Sequence, residues 1–437
     1  MRRKEVRMAM QLGIGRTVVR GLALAGDPIA AVFGLHQLPD PYPTYERIRA
    51  RGELIKSKAL RAYGSVSYPV ANTVLRDPRF GVVSAHEVTG IDWYLEPGDE
   101  DLVHPVEHSL LALNPPRHTR LRRLASPWFT PRALRDRVPS IERVVADALD
   151  AAADSDSFDL VEDFAMVVPI RVICDLLGVP YAEHERFSRW GGVLAGALDG
   201  PRTMAERRVI RDVLAEGTAF FDQLIARRRV DPGDDLVSHL AQAGRQHGAD
   251  GEPVDAHDIN ALSGLLLGAG FETTVNLIGN AVLALLAHPE QKRLFLDDPG
   301  LAESVVEEAL RYDPPVQFTG RIAREDVTLD GRDLPAGSFV ALLLGGANRD
   351  PRVFANPQTF DITRTDAREH LAFSSGIHYC LGAGLARLEA QIALRELFAR
   401  FPDLRLAGGM QRRRTRNIRG PRHLPVSTSA ARRSVAV

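Results

Sequence analysis

The chain has 437 residues, 45% hydrophobic and 25% charged, with a formal net charge of −1 at pH 7. That balance describes a globular chain able to bury a large core, and it excludes a global field that would draw in nucleic acid or an acidic substrate. Its two cysteines offer no disulfide framework, which points to a reducing, cytoplasmic setting.

Residues 1–40, carrying Arg2, Arg3, Lys4, Arg7, Arg16 and Arg20, read as a loosely ordered basic segment. Residues 41–437 read as one domain, because no linker, repeat or composition break divides them. Arg16, Arg20 and Asp27 interrupt the apolar part of the start, no apolar run is long enough to span a bilayer, and neither membrane insertion nor a secretory signal is expected. Tyr42 to Arg51 predicts a helix, and Leu54 to Val70, punctuated by Gly64, predicts short strands. Residues 81–112 lack periodicity and read as a long loop of the kind that often carries function. Asn114-Pro115-Pro116 is a helix-start signal. The helix that follows puts His118 and Arg122 on one face, where both can donate to an anion, although the same pair also suits an exposed basic helix.

From Pro139 to Ala241 the pattern is helical, in segments near 139–153, 160–177, 182–198 and 203–229, with a turn at Gly200-Pro201. Cys174 falls in an apolar helical run, where plain packing explains it. The longest helix is expected from Asp255 to Leu286 and contains Leu267-Gly268-Ala269-Gly270-Phe271-Glu272-Thr273-Thr274. Glycines and an acid in mid-helix weaken it, so they need a reason. One is close helix packing. The other is room beside Ala269, one turn below Thr273, for a flat cofactor and a small gas, with Thr273 and Glu272 handling protons.

Leu301 to Tyr312 predicts a helix whose Glu308 and Arg311 share a face, as surface pairs commonly do. Pro314-Pro315 ends it, and strands with an Asp330-Gly331 hairpin signal follow. Arg412, Arg413, Arg414, Arg416 and Arg419 near the C-terminus read as a solvated charged face. The stretch Phe373-Ser374-Ser375-Gly376-Ile377-His378-Tyr379-Cys380-Leu381-Gly382 precedes an apolar helical pattern from Leu381 to Phe398. Cys380 is therefore expected to open a helix, where backbone N–H groups and the positive helix end favour a thiolate. By itself such a cysteine is equally a small buried hydrophobe.

Phe373, Gly376, His378, Cys380 and Gly382, in that spacing, resemble the haem-thiolate signature of the cytochrome P-450 family. The small-Gly-x-acid-Thr segment ending at Thr273, the Glu308-x-x-Arg311 pair and the run from Ala347 to Phe373 resemble that family too, in the right order, and the resemblance implies that Glu308 and Arg311 are a structural ion pair behind the cysteine loop. The resemblance extends from about Pro41 to Val426. It implies a mainly α fold: a large helical part with a smaller β-rich region, and haem between the long central helix and the Cys-loop helix, with the 182–229 pair roofing the substrate space. It implies haem b (iron protoporphyrin IX) on a Cys380 thiolate, with His118, Arg122, Arg321, His370 and His378 against its carboxylates. Ala269, Gly270, Phe373 and Gly382 would line the cofactor, and Thr273 and Glu272 would be catalytic.

The implied activity is insertion of one oxygen atom from O2 into an apolar substrate. With no dinucleotide fingerprint of the GxGxxG type, electrons are expected from a ferredoxin and its reductase. A peroxide-driven peroxygenase and a non-catalytic haem sensor are the alternatives, the first disfavoured by Glu272-Thr273. Three positions depart from common forms: Ser374 for a frequent Gly, Arg117 for a frequent acid, and Thr359 for the Arg that completes a Glu-Arg-Arg cluster. Arg364 is the candidate substitute for that Arg.

Overall fold

The structure, a computed structural model, describes residues 3–34, 40–57, 62–83, 94, 99, 101–243 and 254–428. The central helix, Ala256–Ala287, starts where the Asp255 side chain accepts the Asp258 N–H at 2.7 Å. It is apolar on nearly all sides, which is the pattern of a helix surrounded by protein. Helices Val167–Leu177, His184–Ala197, Met204–Val230, Ala302–Tyr312 and Ala383–Arg400 all pack against it. Phe271, Val275, Ile278 and Val282 are fully buried in that core. By length and composition this helix could cross a membrane, contrary to the expectation that no apolar run reaches that length. Because 72% of its apolar window is buried within the fold, that surface is core.

The smaller region is a five-stranded sheet with spatial order Ile55–Lys56, Ala62–Ser65, Phe339–Leu342, Thr319–Ala323, Phe80–Gly81. Ala62–Ser65 runs parallel to Phe339–Leu342 and the other pairs are antiparallel. Val327–Leu329 and Arg332–Leu334 form the expected hairpin, with Asp330 and Gly331 at φ 51° and 68°, the left-handed pair a tight two-residue turn requires. A separate sheet joins Ser157–Asp159, Pro425–Ser427 and Arg405–Leu406, tying the chain's end to its middle.

Several boundaries differ from the sequence reading. Within the segment expected to be loosely ordered, Arg3–Leu24 and Pro28–Gly34 are helices, and Arg16 donates to the Arg202 carbonyl. Val70 belongs to a helix, Tyr68–Arg76, because Ser67 accepts the Val70 N–H as its cap. Asn114 does not cap Arg117–Ala125. Its side chain instead clamps both backbone groups of Val82. Much of the long loop expected over 81–112 lies outside the described residues.

Glu308 and Arg311 are not a surface pair. Both side chains are fully buried and joined at 2.6 Å, and Arg311 also donates to the carbonyls of Asn348, Pro357 and Thr359. Arg364 lies 3.2 Å from Glu308, completing a three-member cluster from further along the chain than Thr359. Glu308→Gln would leave two buried guanidiniums without their acid, and the expected loss is about 3–5 kcal/mol of unfolding free energy by denaturant titration. Arg364→Met keeps the Glu308–Arg311 pair and is expected to cost less.

Candidate functional site

Cys380 lies in the turn ahead of helix Ala383–Arg400, three residues before its first residue rather than at its start. Its N–H donates to the Phe373 carbonyl at 2.9 Å, closing the loop on itself. The loop is shaped by two left-handed residues, Ser374 at φ 63° and Gly376 at φ 67°. Ser374 thus takes a conformation glycine adopts without cost, at the position where the family pattern frequently has glycine. Gly376 cannot carry a side chain, since its Cβ would overlap the Leu75 carbonyl oxygen. Cys380 is accessible at its surface yet ringed by protein at longer range, and this burial pushes its thiol pKa up, while Arg122 and Arg387 oppose the rise. A cation seated against Sγ would reverse that balance and hold a thiolate.

Beside the loop, four basic side chains from three distant segments converge. Arg122 donates to the Tyr379 carbonyl at 2.7 Å, and the His118 and His378 rings lie 4.3 Å apart. Arg321, 3% exposed, donates only to Thr319 and the Gly320 carbonyl among the described residues. Burial lowers the pKa of all four. Repulsion among them adds to the effect on the histidines, taking His378 to about 3. Among the described residues, both ring nitrogens of His118 and Nε2 of His378 have no hydrogen-bond partner. A cluster of cations and donors, its His118 and Arg321 buried, with no acid among the described residues beside it, is the donor set for a ligand carrying carboxylates.

On the central helix, Ala269 is exposed in the middle of a buried run, so this face borders open space. Thr273 shares the face and donates Oγ1 to the Ala269 carbonyl at 2.9 Å. Gly270 does not share it. A Cβ there would come 2.9 Å from Ile173, so Gly270 is a close-packing glycine. An apolar cavity lined by Trp190, Leu194, Val213, Phe221, Gly264 and Leu267 lies between the 184–230 helices and the central helix. Its central-helix residues are on a different face from Ala269 and Thr273.

His370 stands apart from the basic cluster. Its Nε2 lies 3.3 Å from Glu307, whose carboxylate also accepts from Arg387, and these partners hold the loop from behind instead of joining the basic cluster. The Arg387 guanidinium stacks 4.5 Å from the Phe373 ring, and Gly382 caps the following helix. Cys174 is fully buried, as expected from its apolar run. The C-terminal arginines are not a solvated face: Arg416 grips Asp199, Arg419 donates to Asp313 at 2.7 Å, and Arg413 meets Glu272 at 3.1 Å. Sequence reasoning missed Arg413, and nothing in a run of arginines marks the one that turns inward.

A sequence model described as Cytochrome P450 matches residues 300–413. The chain is 38% identical over 396 residues to the 6-deoxyerythronolide B hydroxylase of Saccharopolyspora erythraea, covering 89% of this chain and 96% of that protein. It is 38% identical over 399 residues to the vitamin D(3) 25-hydroxylase of Pseudonocardia autotrophica, covering 89% and 94%. Among solved structures it resembles P450BioI in complex with hexadec-9Z-enoic acid ligated acyl carrier protein, at 36% identity and a TM-score of 0.82, over 90% of this chain and 99% of that one.

Gly376→Ala tests the loop. A side chain at a left-handed residue costs about 1–2 kcal/mol before the overlap with Leu75 is counted. A lower thermal midpoint and a disordered Cys380 environment are expected, the first by calorimetry and the second by faster thiol labelling.

Proposed function

The chain belongs to the cytochrome P450 family and is a haem-dependent monooxygenase, and from that premise we propose that Cys380 holds the iron of haem b while His118, Arg122, Arg321 and His378 hold its carboxylates. The observation that carries this reading is the basic cluster, with no acid among the described residues beside it, next to an accessible cysteine, which fits an anionic cofactor bearing a metal. Haem bound there supplies the activation of O2 and the transfer of one of its oxygen atoms. The chain's own residues do the rest. Ala269 leaves space beside the central helix, and Thr273 presents a hydroxyl at that space. Glu272, next in sequence and buried, is the acid that exchanges protons with it. Phe373 and Gly382 shape the cysteine side.

Residues 41–437 act as the haem domain, in the cytoplasm, with electrons from a separate ferredoxin and its reductase. The substrate is an apolar molecule. The relatives are named for a macrolide precursor, for vitamin D(3) and, in complex, for a carrier-bound acyl chain, and apolar side chains such as Val316, Phe318 and Leu265 adjoin the expected substrate space.

An absorption titration of the haem-loaded protein with fatty acids, steroids and macrolides tests the reading. A saturable shift to the high-spin spectrum is expected for one class, and absence of a thiolate-haem spectrum would refute it. Thr273→Ala is expected to retain that spectrum and substrate binding, while most of the oxygen consumed emerges as peroxide or water instead of product. Cys380→Ser is expected to lose the thiolate signature altogether.

A further inference from the structure

Glu272 is 3% exposed, and a guanidinium from a different part of the chain closes on it. Arg413 Nη2 lies 3.1 Å from Oε2, Nη1 donates to Oε1 at 3.4 Å, and Nε donates to Asn276 Oδ1 at 3.1 Å. Asn276 in turn donates Nδ2 to the Glu272 carbonyl at 2.6 Å. One fork therefore spans two residues a turn apart on the central helix, and the side chain it reaches first is the acid next to Thr273.

The hairpin of Gln411–Arg412 and Pro421–His423 brings it there. The Arg413 N–H donates to the Gly420 carbonyl at 3.1 Å, and a Cβ on Gly420 would overlap the Asn276 side chain. A Cβ on Gly279 would likewise come 2.6 Å from Pro421. Both glycines serve to let the hairpin lie directly on the helix.

We propose that Arg413 is a positioning residue for oxygen activation: its fork holds the Glu272 side chain in one rotamer by an ion pair, and that charge controls how the acid next in sequence to Thr273 exchanges protons. This rests on the role assigned to Glu272 above. Burial pushes the Glu272 pKa up, and Arg413 opposes that rise without cancelling it. The helix His184–Ala197 faces the carboxylate with Gly192, whose Cβ would lie 3.7 Å from Oε1, and the central helix faces it with Asn276. Among the described residues no second charge acts on this carboxyl. An opposite charge at this range holds a carboxyl pKa down by about 1–3 units, so removing it returns the full burial effect.

The test is infrared difference spectroscopy of the haem-loaded protein across pH, following the carbonyl band of a protonated buried carboxyl, assigned by its loss in Glu272→Gln. In Arg413→Gln the band is expected to persist about 1–3 pH units further to the alkaline side than in the wild type. The pH profile of product formed per O2 consumed should move the same way. Arg413→Lys keeps the charge but not the fork, and should fall between the two. A band at the same pH in wild type and Arg413→Gln overturns the proposal. Should Arg413→Gln fail to hold haem, Arg413→Lys decides: an unmoved band and an unmoved profile overturn it. The reduced, carbon monoxide-bound absorption spectrum separates the two levels. Its loss of thiolate character in the wild type refutes the haem reading, whereas a normal spectrum with an unmoved band refutes only the role of Arg413.

Discussion

A buried guanidinium has to be answered by an acceptor, and in this protein the way each one is answered separates scaffold from site. Arg311, with no exposed surface, is fully answered: Glu308 takes two of its donors and three carbonyls take the rest. Those carbonyls belong to the segment that leads into the cysteine loop, so the cluster with Arg364 fixes where that loop begins. Arg321 is almost as buried and meets no carboxylate among the described residues. With Arg122, His118 and His378 it forms a positive recess whose missing counter-charge is the clearest indication of what the protein binds.

The central helix resolves a second conflict, between packing and chemistry. Its glycines and polar residues weaken it intrinsically, and the tertiary structure assigns each a direction. Gly270 admits Ile173, and Gly279 admits Pro421. Ala269 and Thr273 point the other way, to the open face. Glu272 points to neither, and its carboxylate goes to Arg413 at the helix flank. Residues close together in sequence thus face open space, a packed neighbour and a guanidinium, because successive side chains on a helix are about 100° apart.

The mainly α architecture, the central helix from its Asp255 cap, the Asp330-Gly331 hairpin and the cysteine loop were legible from local pattern. Each depends on interactions within a few residues: a cap, a two-residue turn, a period. For His370 and Gly270 the tertiary contacts could not be read, because a motif names a residue without its direction. His370 is held by Glu307 from another helix, and Gly270 by the approach of Ile173. The Glu308–Arg311 pair read equally well as a surface pair, since spacing on one face does not say whether that face is covered.

By itself, then, the sequence determined the family-wide spacing around Cys380, the acid–alcohol segment and the order of elements, since these are short-range regularities of the chain. Only the tertiary structure decided which charges are buried and which partner each finds. It turned a run of C-terminal arginines into separate anchors on Glu272, Asp199 and Asp313, and it supplied Arg364 to Glu308. The physical reason is that a charge's role is set by its distance to other charges and by the water removed around it, and both are fixed by segments more than fifty residues apart.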